Sequence, residues 1–198
     1  MEGVDISEHN GTVDWTTLAK SAKFAFIRVG YRGYNDGALH ADKMAKENLK
    51  AARKAGVPVG VYFFSQATTE EEAQEEARFV LEAVRFAKVE LPLIIDYEYG
   101  YNAAGEHAGR LYAANVSKKD TTRLLTAFCD TVTADGYTAG VYANSHFYIS
   151  KFDAASLPKA LCAGWRTTTA PSPTPGILIF GNIPKPARSK ATAASTLT

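Results

Sequence analysis

Cysteine is scarce in this chain, with two in 198 residues. Neither Cys129 nor Cys162 has the CxxC spacing of a metal or redox motif, and two cysteines alone do not define a disulfide. Cys129 stands at helical spacing with Leu125, Phe128 and Val132, so a small buried apolar side chain is expected there. Excess charge is also missing. The formal net charge is +1, which gives no signature of nucleic-acid or acidic-surface binding. No apolar run approaches the length of a membrane span. No basic segment followed by an apolar one precedes Gly3-Val-Asp-Ile-Ser, so no signal peptide is expected in this chain, and no membrane partner.

What is present suits one globular domain with a substantial core: 46% apolar and 22% charged residues over 198 positions. Five short segments rich in Val, Ile, Phe and Tyr read as strands: "GVDIS" (3–7), "FAFIRVG" (24–30), "VPVGVYFFS" (57–65), "LPLIIDYE" (91–98) and "YTAGVYAN" (137–144). Their nearly continuous apolar character predicts a parallel sheet buried on both faces. Helical patterns lie between them. Asp14 is a good N-cap for "WTTLAKSA". "LHADKMAKENLKAARKAG" places Met44, Leu49 and Ala52 near one face and stops at Gly56. Thr68 with Glu71, or Thr69 with Glu72, has capping-box spacing before the stripe Ala73, Ala77, Val80, Leu81 and Val84. The acidic run at 70–72 reads as a solvated helix start, favoured by the helix dipole. Ser117 and Gly136 bracket a fourth helix. Strand–helix alternation makes this an α/β fold, and the pattern alone leaves an open sheet and a barrel as alternatives.

The chemistry-bearing residues collect at strand ends. Asp96 and Glu98 are two apart and share a face, while Tyr97 points away. They end an apolar strand, where parallel α/β folds carry their sites. Asp5, Arg28, Ser65, Tyr142 and Asn144 occupy similar places on the other strands. Two neighbouring, partly buried carboxylates repel, so one holds a proton near neutral pH while the other stays charged. That equipment suits protonation of a leaving oxygen, as in glycoside hydrolysis. Tyr31, Tyr34, Tyr62, Tyr97, Tyr99, Tyr101 and Tyr142 offer flat surfaces and hydroxyls for sugar rings. Asp5, His9, Asp96 and Glu98 leave a metal-dependent hydrolase as the competing reading. The glycines of "GYRGYNDG" fit no phosphate or dinucleotide fingerprint and read as a loop.

"GVDISEHNGTVDW", "FAFIRVGYRG", "AGVPVGVYFFS", "PLIIDYEY" and "YTAGVYAN" together resemble, in order and spacing, the glycoside hydrolase family 25 lysozymes (Chalaropsis-type muramidases). The likeness runs from about residue 2 to about residue 160. It implies a modified (β/α) TIM-like barrel that cleaves the β-1,4 bond between N-acetylmuramic acid and N-acetylglucosamine in bacterial peptidoglycan, as phage endolysins and autolysins do. It implies Glu98 as general acid, Asp96 as its partner carboxylate and Asp5 as an electrostatic support. Tyr62, Tyr142 and Asn144 match positions lining the saccharide groove, and Arg28 and Ser65 join them as candidate substrate contacts. No metal or organic cofactor is implied. The implied partner is the peptidoglycan glycan strand, met by a monomer outside the cell or in the wall after export or lysis.

The last quarter departs from the family. A family member ends in a Trp-containing strand, an Asp-x-Trp-Gln-Tyr strand and a Val-Asp-x-Asn strand, and none appears here. Residues 1–162 are expected to form the catalytic domain and 163–198 an irregular tail, with the last strands missing or disordered. The tail holds most of the prolines, and after Pro184 its only large apolar residue is Leu197. A reading-frame shift between Ala160 and Trp165 explains the departure. With the third base of each codon chosen freely and the other two nearly fixed by the residue, codons for Leu178 to Ile183 read from their third base can encode Asp-Ile-Trp-Gln-Tyr. Those for Ala194 to Thr198, chosen the same way, can encode Val-Asp-Leu-Asn. Sequencing of the DNA tests this. A chain so altered has a second expected fate, as a peptidoglycan-binding remnant without activity.

Overall fold

The computed structural model describes residues 3–158, with the backbone of two further strands at 161–164 and 177–178. Ten strands occur among the described residues: β1 (Gly3–Ile6), β2 (Ala25–Arg32), β3 (Leu39–Ala41), β4 (Val59–Ser65), β5 (Leu93–Tyr97), β6 (Gly100–Tyr101), β7 (His107–Ala108), β8 (Ala139–Ala143), β9 (Leu161–Gly164) and β10 (Ile177–Leu178). The α-helices are α1 (Trp15–Leu18), α2 (Ala45–Lys54), α3 (Glu70–Val84), α4 (Arg110–Ala114), α5 (Lys118–Ala134) and α6 (Ser145–Ser150).

The five apolar segments form the parallel order β1-β2-β4-β5-β8, extended by β9. Each crossover is long enough to carry a helix back over the sheet, as parallel pairing requires. β10 pairs antiparallel with the free edge of β1, Gly3 opposite Leu178. The sheet is curled into a half-barrel, and among the described residues no pairing joins β9 to β10. Residues 165–176 and 179–198, where most of the expected irregular tail falls, lie outside the described residues.

Helix ends follow the expected chemistry. Asp14 caps α1 by accepting from the Thr16 and Thr17 amides. Thr69 and Ser117 cap α3 and α5 through the amides of Glu72 and Asp120. Gly56 and Gly136 take positive φ just past α2 and α5. Leu39–Ala41 departs from the helical pattern predicted there. It pairs antiparallel with Gly30–Arg32 of β2, and α2 begins only at Ala45.

Alternation along the strands builds two apolar layers. Val59, Val61 and Phe63 of β4, with Leu93, Ile95 and Tyr97 of β5, pack against Ala73, Ala77, Val80, Leu124, Phe128 and Cys129 of α3 and α5. The opposite parity points into the barrel, where Phe24, Phe26 and Ile94 form a plug bordered by Tyr62 and Tyr142. Among the described residues no helix is long and apolar enough to cross a membrane.

Candidate active site

The carboxylates stand at the C-terminal end of β5. Asp96 is buried at 8% exposure, and its register neighbours are Phe64 of β4 and Tyr142 of β8. Glu98, just past the strand, is half-buried. Tyr97 turns to the helix side, is fully buried, and donates its hydroxyl to the Ala67 carbonyl at 3.2 Å. One face therefore carries both acids above the apolar plug, as the two-residue spacing predicts.

The surroundings push both carboxyls upward. Burial raises Asp96 well above the usual carboxylate range, and the charges of Glu98 and Asp5 add to this while Arg28 opposes it. Burial also raises Glu98, against the pull of a hydrogen bond from Asn144 Nδ2 to Glu98 Oε2 at 3.2 Å. Asp96 Oδ1 is buried and makes no hydrogen bond among the described residues. An unpaired buried polar atom is costly. A carboxyl pair that keeps a proton near neutrality can protonate an oxygen and stabilise a developing positive charge.

Most of the residues expected at this rim are brought together. Asp5 acts electrostatically on Asp96, Tyr62 and Tyr142. Burial first, and the neighbouring acids second, hold the Tyr62 and Tyr142 phenols far above their ordinary range, so both remain hydroxyl donors. Asn144 reaches Glu98 while capping α6 through the Phe147 amide at 3.0 Å. Arg28 is on the same face, but its Nε lies 2.8 Å from Asp42 and its Nη2 3.1 Å from Glu8. Much of its charge is thus matched inside the protein.

Ser65 is a correction. It lies three residues after Tyr62 and so faces the helices, fully buried, where its Oγ accepts from the Ala67 amide and its hydroxyl acts on Glu76 of α3. It does not join the carboxylates. His9 is exposed in a short 3-10 turn, Glu8–Asn10. No group of three or more His, Cys, Asp and Glu side chains is arranged to hold a metal among the described residues.

Two contributors do not stand out in the strand pattern. Gln66 is fully buried, and its Nε2 donates to the carbonyls of Ser65 at 2.9 Å and Glu98 at 3.1 Å. It fastens the end of β4 to the residue bearing the second acid. Tyr34, one of seven tyrosines named as possible sugar surfaces, lies within electrostatic reach of Arg28, Asp96 and Glu98. Its loop position hides it from reasoning built on strand ends.

The family model for glycosyl hydrolases family 25 matches residues 4–168. Comparison with curated proteins finds no match. Among solved structures, a family 25 glycosyl hydrolase from Bacillus anthracis superposes with a TM-score of 0.67 at 24% identity, covering 87% of this chain and 73% of its own. A muramidase from Trichobolus zukalii gives 0.64 at 18% identity, covering 89% and 82%. The modular autolysin LytC from Streptococcus pneumoniae gives 0.62 at 22% identity, covering 76% of this chain. The present chain spans about a third of that autolysin's length (34%). LytC has also been solved with a synthetic peptidoglycan ligand.

Proposed function

The chain belongs to glycosyl hydrolases family 25 and is a glycoside hydrolase; from that premise we propose that it is a muramidase, hydrolysing the β-1,4 bond between N-acetylmuramic acid and N-acetylglucosamine in peptidoglycan. The observation that carries the reading is the Asp96–Glu98 pair, two carboxyls raised by burial at the mouth of the barrel, with Asp96 Oδ1 unpaired among the described residues.

The two acids titrate as a pair, and burial favours a proton held between them. Burial and the charges of Glu98 and Asp5 favour its resting on Asp96 in the free protein. Glu98 is the more exposed member, and so the one able to meet a glycosidic oxygen. As substrate displaces water from the mouth, the proton passes from Asp96 to Glu98 and on to the leaving oxygen as the glycosidic C–O bond breaks, and the water that then adds to the sugar carbon returns its proton to Glu98. Asp96, then ionised, faces the positive charge that develops on the sugar. Asp5 adds negative potential, and Tyr62, Tyr142, Asn144 and Arg28 line the groove. This chemistry is expected on the wall outside the membrane.

The test is release of reducing ends from purified peptidoglycan by the 198-residue chain. Borohydride reduction and amino-sugar analysis identify the bond, because muramidase action yields muramicitol and not glucosaminitol. Glu98→Gln is expected to fold and to lose turnover. Full rate in that variant refutes the assignment of the acid. No release by the parent chain, with release restored on repairing the reading frame after Ala160, would make this chain the impaired remnant.

A further inference from the structure

We propose that Tyr34 is a sugar-contacting residue of the glycan groove, a rigid phenol wall on the β2 side of the carboxylate pair, opposite the Asn144 side. This deepens the glycan-cleaving reading of Asp96 and Glu98 and rests on it.

Three observations carry the assignment. The first is a cradle. The Tyr34 ring lies directly against Gly100, the first residue of β6, and Gly109, just past β7. A Cβ at Gly100 would come within 2.0 Å of a ring carbon, and one at Gly109 within 2.9 Å. Only hydrogen fits at either position in this arrangement, so the hairpin that follows Glu98 is shaped around the ring. Gly109 also has φ +96°, which disfavours any side chain there.

The second observation is fixation. The Tyr34 carbonyl accepts from the Arg110 amide at 2.9 Å. The turn around it closes through Gly33 N to the Ala38 carbonyl, and Arg32 Nη1 donates to the Gly37 carbonyl at 2.7 Å. The ring meets Phe64 edge-on at 5.9 Å, and Phe64 is the register neighbour of Asp96. A side chain held this way loses little further freedom when a ligand arrives, which favours binding.

The third is position. The residue is 42% exposed, although its phenol lies within electrostatic reach of Asp96, Glu98 and Arg28. Burial and the two acids hold its proton firmly, with Arg28 opposing them. The hydroxyl is therefore a donor throughout the working pH range. A pyranose presents an apolar C–H face and a rim of hydroxyls. A ring with one flat apolar side and one polar tip suits both.

The experiment is calorimetric titration of the N-acetylglucosamine–N-acetylmuramic acid tetrasaccharide into the full chain carrying Glu98→Gln, so that binding is read without turnover. Tyr34→Leu keeps apolar volume on the glycine cradle and is expected to weaken binding about tenfold, with a modest fall in Tm from the lost ring packing. Tyr34→Phe keeps the ring and loses the hydroxyl, with an expected weakening of about threefold. Gly100→Ala displaces the ring and is expected to weaken binding although Tyr34 is intact. Phe86→Ala removes an aromatic 89% exposed just beyond the C-terminal end of α3, away from the site, and is the unaffected control. Equal affinity in Tyr34→Leu and its parent overturns the assignment, as does a loss matched in Phe86→Ala or absent binding in the parent. If Tyr34→Leu fails to fold, Tyr34→Phe and Gly100→Ala decide by the same criterion. Reducing-end release by the unsubstituted chain tests the catalytic reading separately.

Discussion

Asn144 and Glu98 are joined by a hydrogen bond, Nδ2 to Oε2 at 3.2 Å, while the other end of the same amide caps α6 by accepting from the Phe147 amide at 3.0 Å. One side chain thus orients the proposed acid and starts the helix that follows β8. The cap fixes the amide's rotation, so its NH2 is aimed at the carboxylate rather than free to turn.

Asn144→Ser separates these roles. Serine still caps, and substitution among good capping residues is mild, but its hydroxyl is too short to replace the amide at Glu98. The hydrogen bond from Asn144 is what pulls Glu98 down. Without it the Glu98 carboxyl should titrate higher, and the alkaline limb of the kcat profile should move to higher pH, with a small change in Tm. Asn144→Ala should show the same movement and lose a further ~1 kcal/mol with the cap. An alkaline limb that stays still or moves down would show that Glu98 is not the titrating acid.

Asp96 makes the site costly to stability. Its carboxyl is raised by burial, then by Glu98 and Asp5. The native state keeps a proton that the unfolded chain gives up in the ordinary carboxylate range. Stability is therefore highest below that range and falls as pH rises through it toward the folded-state value. Asp96→Asn removes this dependence without breaking a hydrogen bond at Oδ1, which has no partner among the described residues. Melting at pH 4 and pH 7 should show the variant more stable than the parent at pH 7 by about 0.5–2 kcal/mol, with a smaller gain at pH 4 and no turnover. A variant less stable than its parent at pH 7 would contradict the repulsive environment described for this group.

How much of this is legible in the chain depends on which physical rule each residue obeys. Strand periodicity yields β1, β2, β4, β5 and β8 and the shared face of Asp96 and Glu98, because even spacing in a strand survives tertiary packing. The same rule, applied to the three-residue step from Tyr62 to Ser65, sends Ser65 to the helix side. Grouping it by strand end alone ignores parity. The hairpin β6–β7 has two-residue strands, too short for a periodic signal. The roles of Tyr34 and Gln66 are set by loops meeting from distant parts of the chain, which no local pattern reports. Leu39–Ala41 reads as helix because Met44, Leu49 and Ala52 suit α2, and its pairing partner in β2 lies outside any local window.

Arg32 and Glu76 supply the last prediction. Arg32 is 4% exposed, and its Nε lies 2.8 Å from the fully buried Glu76. Its other nitrogens reach the carbonyls of Gly37 and Glu72 and the Glu75 carboxylate. The pair pins the end of β2 to α3, next to the turn that holds Tyr34. Burial lifts Glu76 to about 7, even with the Ser65 hydroxyl and Arg32 pulling it down. Stability should therefore decline between the unfolded value near 4.5 and about 7. Arg32→Leu removes the cation and leaves the acid buried, so it should cost about 3–5 kcal/mol. The cost should be greater at pH 8 than at pH 6, because without Arg32 the acid resists ionisation further. The double variant Arg32→Leu, Glu76→Leu should recover part of that loss, since replacing both members of a buried pair is far milder than orphaning one. Urea unfolding of the parent, both single variants and the double at the two pH values measures the coupling directly. A double-variant loss equal to the sum of the two single losses would mean that the pair contributes nothing beyond its separate members.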